Sequence, residues 1–161
     1  MDENQASHVS AQFSYESWAE PTREEAGAPA AAIPAGGDVL RGWEVVATYT
    51  LPVEGARSAT QAVLRRPRND ATMLRIDLVE MPTPQEARAM LLQLLGEFQS
   101  PLLRRRTDQR VGDVAFEMPE QTAVLFARRN VVVMIRNAGP EPAPVLDAAS
   151  EVDARLQPAA S

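Results

Sequence analysis

Between Ala123 and Gly139 the chain reads AVLFARRNVVVMIRNAG, two apolar runs separated by Arg128, Arg129 and Asn130. Each run has the length of one strand, and the polar break between them is too short for a crossover, so the stretch forms a β-hairpin. The second run is the more constraining. Val131, Val133 and Ile135 alternate with Val132, Met134 and Arg136, which makes both faces of the strand apolar. A strand of that kind lies inside a sheet, covered on each side by other elements or by a partner. Asn130 is the turn residue expected to take positive φ, because its short polar side chain tolerates the left-handed region.

The segments before the hairpin show what kind of sheet holds it. GWEVVATYTL alternates, with Trp43, Val45, Ala47, Tyr49 and Leu51 expected on one face of a half-buried strand. ATQAVLRRP forms a second strand, closed by Pro67, and the turn RPRND leads into a third, TMLRIDLVEM. There Leu74, Ile76 and Leu78 point inward while Arg75 and Asp77 point outward. The apolar period then changes from two to 3.6. In PTPQEARAMLLQLLGEFQSP, Thr83 is placed as N-cap, Pro84 at the first helical position and Glu86 three residues after the cap, a capping box. Ala87, Met90, Leu91, Leu94, Leu95 and Phe98 follow as one broad stripe. Fully burying each of its large side chains stabilises the fold by roughly 1.5–3 kcal/mol, so the stripe is core and not a cofactor box.

LLRRR and VAFEM add two short strands before the hairpin. A last amphipathic helix, roughly 144–156, turns Val145, Ala149, Val152 and Leu156 inward and Asp147, Glu151 and Asp153 outward. The expected order is β-β-β-α-β-β-β-β-α. This is an α+β domain: a largely antiparallel sheet of about six to seven strands with two amphipathic helices packed on a face.

At 161 residues the chain is one domain with some excess, and the excess lies at the amino terminus. Residues 1–37 carry six acids against the single base Arg23, so they hold −5 of the net charge of −6. They divide into an acidic segment and the Pro/Ala/Gly linker AGAPAAAIPAGG (26–37), ahead of a domain at 38–157 and a short disordered end at 158–161. The aromatics of FSYESW, Phe13, Tyr15 and Trp18, have two readings. They are chance members of a disordered tail, or they are anchors that order on a partner or on the domain's own surface.

Composition removes most chemistry. With no cysteine there is no disulfide, zinc thiolate site or cysteine nucleophile. The one histidine, His8, lies in the tail, so the domain has no imidazole relay. All 16 basic residues are arginine, as GC-rich coding produces, and this excludes a Schiff-base or P-loop lysine. Asp77 and Glu80 are thrown to opposite faces by alternation. Asp113 and Glu117 could share a face, but Gly112-Asp113 reads first as a turn. No Gly-x-Ser-x-Gly elbow or phosphate loop occurs. The expectation is a protein that is not an enzyme, with no catalytic residue, cofactor or metal.

A near-neutral domain with an acidic tail is a poor match for nucleic acid. No apolar run approaches the ~20 residues of a membrane-spanning helix, while peripheral contact with a membrane stays open. The polar start Met-Asp-Glu-Asn-Gln is not a signal peptide. The protein is therefore cytoplasmic as written, or periplasmic or secreted if a targeting segment has been removed.

The arginines cluster at strand ends: Arg65, Arg66 and Arg68; Arg104, Arg105 and Arg106 with Arg110; Arg128 and Arg129. Either they are solvated charges paired with local acids, or they converge into a guanidinium surface that grips carboxylates or phosphates. The tethered acidic tail is then the nearest ligand.

VGDVAF, the strands of LFARRNVVVMIRN and a closing helix with the pattern VLDAASEVDARL are similar in order to the Mog1/PsbP-like group, over roughly residues 40–157. That resemblance implies a non-enzymatic accessory or assembly protein docking on a larger, often membrane-bound complex. It carries no functional residue over to this chain. Taken with the residues, the expected function is an accessory subunit. Its contact surface would be Phe13, Tyr15, Trp18, Arg65, Arg66, Arg104, Arg105, Arg106, Arg128 and Arg129. The alternative is a module that binds a small molecule or lipid between the sheet and helix 84–98.

Overall fold

The computed structural model describes residues 2–18, 40–108 and 111–156; the linker 26–37, Arg110 and the end 158–161 lie outside the described residues. Seven strands form one sheet: β1 (Glu44–Thr50), β2 (Ser58–Arg66), β3 (Asn69–Glu80), β4 (Arg104–Arg106), β5 (Val114–Glu117), β6 (Ala123–Arg128) and β7 (Val131–Asn137). Their order across the sheet is β1-β2-β3-β7-β6-β5-β4. Every neighbouring pair is antiparallel. The α+β class and the order of elements are those expected from the apolar periods.

Helix α2 (Pro84–Phe98) carries the chain from β3 to the far edge strand β4. Four strand spacings amount to about 19 Å, and a 15-residue helix rises about 22 Å, so one helix spans the gap. Thr83 Oγ1 accepts a hydrogen bond from the Glu86 N–H at 3.1 Å and donates to Glu86 Oε2 at 3.0 Å. The chain then returns strand by strand until β7 closes onto β3. That places β7 fourth of seven, where a strand apolar on both faces belongs.

Both faces of the sheet are covered, and by different helices. Leu64, Leu74, Ile76, Phe126 and Ile135 pack with Leu146, Ala149, Val152 and Leu156 of α3 (Leu146–Leu156). On the opposite face Ala59, Val79, Val132 and Leu125 pack with Ala87, Leu91 and Leu95 of α2. The expected two helices on one face are thus divided between two. The physical reason is the hairpin itself, which has apolar side chains to bury in both directions.

Three local expectations are corrected. In β1 the register shifts between Val45 and Ala47, with Val45 opposite Leu64 and Ala47 opposite Val63. This bulge re-aims the strand: Trp43 and Val45 join the α3 side, while Ala47 and Tyr49 turn to the α2 side. Asp153, expected outward, is 1% exposed because Arg128 at the end of β6 reaches it. In the hairpin turn it is Arg129 that takes positive φ (+53°). Asn130 is buried instead, its Nδ2 donating to the Met81 carbonyl at 3.0 Å while its own carbonyl accepts from the Met81 N–H at 2.8 Å. The backbone at the end of β3 holds the side chain that the turn was expected to use.

The amino-terminal segment contains helix α1 (Glu3–Gln12) and a 3₁₀ turn at Tyr15–Ser17. Asp2 caps the helix by accepting from the Gln5 N–H at 2.7 Å. The segment lies on α2 where Gly96 has no side chain: a Cβ there would meet the Val9 methyls at 3.1 and 3.2 Å. Gly96→Leu is accordingly expected to push α1 off α2 while the domain's melting temperature holds, since helix propensity at that position improves by about 0.8–1 kcal/mol. Chymotrypsin should then cut at Phe13–Trp18 several times faster than in the parent chain. Unchanged cleavage would show that Gly96 does not set this contact.

Candidate functional site

The residues singled out by the sequence fall in three regions, the amino-terminal aromatics lying next to the β4 arginines. Phe13 and Trp18 are 6% and 7% exposed. Both rings pack on Phe116 of β5, Phe13 edge-on at 5.5 Å and Trp18 tilted at 5.6 Å. Tyr15 stacks edgewise on Trp18 at 5.0 Å, and Trp18 Nε1 donates to the Phe13 carbonyl at 3.0 Å. These aromatics cover the domain's own sheet.

The arginine clusters do not converge. Arg65 and Arg66 end β2, Arg104–Arg106 form the edge strand β4, and Arg128 and Arg129 lie at the opposite end of β6. Five strand spacings separate β2 from β4, about 24 Å. Most of these side chains are engaged locally. Arg65 pairs with Glu44 at 3.3 Å and Asp70 at 2.7 Å, an exposed arrangement of small energetic value. Arg66 lies over the Trp43 ring at 4.1 Å and donates to the Gly42 carbonyl at 3.0 Å. Arg106 bridges Glu117 and Asp108. Arg128 grips Asp153 with two bonds of 2.7 and 2.8 Å and reaches Asp113 at 3.1 Å. Asp113 also accepts the Arg129 N–H at 2.6 Å. Arg104 and Arg105 are exposed, and Arg105 meets the amino-terminal segment through a serine, donating to Ser17 Oγ at 3.3 Å.

A different pair of arginines is brought together by strand register. The α2-side face can be followed row by row across the sheet. One row, Ala59, Val79, Val132, Ala127 and Val114, is wholly apolar, and α2 lies over its β7 and β6 portion. The next runs Tyr49, Gln61, Asp77, Met134, Leu125, Phe116 and Arg105. It is polar toward β1 and apolar toward β5, where the tail aromatics sit. The third row runs Ala47, Val63, Arg75, Arg136 and Ala123. Here Arg75 and Arg136 stand directly opposite one another on the two central strands, a position that puts Cβ atoms about 4.5–5.5 Å apart.

Like charges directly opposite on a sheet are destabilising, so this pair calls for a physical account. Among the described residues no hydrogen-bond partner meets the buried Nε of Arg75 or of Arg136. Asp77, two residues along β3, attracts Arg75, but its Oδ1 is taken by Gln61 Nε2 at 2.8 Å. Burial pushes the Asp77 carboxyl above its ordinary value, against the opposing pull of the Gln61 hydrogen bond and of Arg75. The edge strand β1, beyond β2, exposes Tyr49 (54%) and Val46 (49%). Sequence reading placed Arg75 outward and passed over Arg136. The available signal was an arginine at a period-two position within each of two apolar strands; what joins them is register, which no local pattern contains.

The arrangement offers guanidinium donors, an aromatic and apolar side chains, with no nucleophile–base pair. Between α2 and the sheet Ala87, Leu91 and Leu95 are buried in the apolar cluster. A cavity of ≈ 540 Å³ lies between α1 and the carboxyl end of α2, with a mixed lining that includes Gln5, His8, Val9 and Gln99. Among the described residues no three His, Asp or Glu side chains are grouped to hold a metal ion, and no helix is long and apolar enough to cross a membrane. Comparison with family models, curated proteins and solved structures found no match to this chain.

Proposed function

We propose that this protein is a non-catalytic accessory or assembly subunit that docks on a larger protein through the β1-β2-β3-β7 part of its α2-facing sheet surface. The observation that carries the reading is the Arg75–Arg136 juxtaposition, with an exposed tyrosine two strands away on the same face. A monomer gains nothing from two arginines set opposite each other on neighbouring strands, whereas arginine and tyrosine are among the side chains that dominate binding energy at protein interfaces. In this reading the segment 2–18 completes the domain by covering Phe116 and the apolar end of the same face, and so marks where the contact surface stops.

Affinity capture from the native source, using the parent chain and two charge-reversed forms, tests the proposal. Arg136→Glu keeps the fold, because it turns a repulsive cross-strand pair into an attractive one. It is expected to lose a stoichiometric partner that the parent chain and Arg68→Glu, altered at an exposed turn, both retain. A parent chain that captures no partner, or a partner equally retained by Arg136→Glu, would remove the reading.

A further inference from the structure

We infer that the Arg75–Arg136 pair is a receptor for a single carboxylate, presented by an acidic side chain of the docking protein; this rests on the docking role proposed above and specifies its chemistry. Two guanidiniums bring two positive charges to one register position on the central strands. Asp77, on the same face two residues away, returns one negative charge. Among these three side chains the excess is a single positive charge, which a carboxylate balances and a phosphate dianion overshoots; Arg65, one row on, is already matched by Glu44 and Asp70. A carboxylate also has two oxygens, so it can accept a charge-assisted N–H bond from each guanidinium at once. The Nε atoms are shut off from solvent, so the terminal Nη groups are the donors a ligand reaches, and Nε–Hε reports on them through the same guanidinium.

The surroundings indicate a protein as the source of the carboxylate. The pair stands on the face of a sheet, flanked in its own row by Val63 and in the next by Met134 and Asp77. Gln61 holds Asp77 at 2.8 Å and so keeps that charge from swinging across to neutralise Arg136. A short extended segment with one acid between apolar residues would meet guanidiniums at its centre and Val63 and Met134 beside them.

Nitrogen-15 NMR of the arginine Nε–Hε groups in the full chain reads this directly. The probes are acetyl-Val-Glu-Val-amide, its Gln twin, acetate and inorganic phosphate, all at matched ionic strength. The Glu peptide is expected to shift the Arg75 and Arg136 signals at concentrations at least tenfold below the Gln twin and below acetate, with phosphate no tighter than acetate. In Asp77→Asn the order should change, phosphate gaining about tenfold or more because the opposing charge is gone. Phosphate preferred in the parent chain, a Gln twin as tight as Glu, or no shift with any probe would each overturn the carboxylate assignment. If the partner is nonetheless lost from Arg136→Glu, the docking role stands without it; if the probes behave as expected but that partner is retained, the docking role is what fails.

Discussion

Asp153→Ala is expected to remove about 3 kcal/mol or more of folding stability, within the 3–5 kcal/mol that follows when one member of a buried ion pair is deleted. The carboxylate is almost fully enclosed, and both of its oxygens accept from Arg128, at Nε and Nη2. Alanine would leave the Arg128 guanidinium, only 18% exposed at its side chain, with Asp113 at 3.1 Å as its remaining ion-pair partner. The pair also ties α3 to the hairpin, so its loss loosens the cover over one whole face. Urea unfolding measures the effect. The double replacement Arg128→Met with Asp153→Leu should recover most of the loss, since apolar pairs of similar volume commonly match a buried ion pair. An Asp153→Ala midpoint within error of the parent would show that the clamp carries no stability.

Phe116→Ala is the second large effect. Its ring is 2% exposed and is the surface on which Phe13 and Trp18 rest. Truncating a buried phenylalanine costs about 3–5 kcal/mol, and here the loss falls on two bodies, the sheet and the segment laid over it. In a Trp43→Phe background Trp18 is the one remaining indole. Its emission is expected to move to the red in Phe116→Ala at denaturant concentrations where far-ultraviolet circular dichroism still shows a folded sheet. Phe13→Ala, by contrast, can lower stability by no more than the docking free energy of the segment. Coincident loss of emission and ellipticity in Phe116→Ala would mean that segment and domain unfold as one unit.

Much of the fold was legible because it rests on short-range chemistry. The Thr83 cap, the change of apolar period and the two-sided apolarity of Val131–Ile135 each act within a few residues, and each appears where the pattern placed it. What escaped depends on partners distant in the chain. Asp153 reads as a surface acid until Arg128, 25 residues earlier, is brought over it. Asn130 reads as a turn residue until the Met81 backbone, 49 residues earlier, claims its amide. The bulge after Val45 leaves no mark in GWEVVATYTL, and it decides which face Tyr49 serves. The candidate site is the extreme case. The conspicuous arginine runs are spent on local pairs, whereas Arg75 and Arg136, each isolated in sequence, meet only through pairing of the third strand with the last.

That pairing also sets the order in which the molecule can be made. Synthesis delivers β1, β2 and β3 first and then builds the other four strands inward from the far edge, so the seam between the two halves is the last join. Until Asn137 is available, β3 carries an open hydrogen-bonding edge, the kind of surface that pairs with the wrong chain. A nascent chain halted before that strand therefore holds two half-sheets with no common centre, and release of the final thirty residues turns them into one cooperative body.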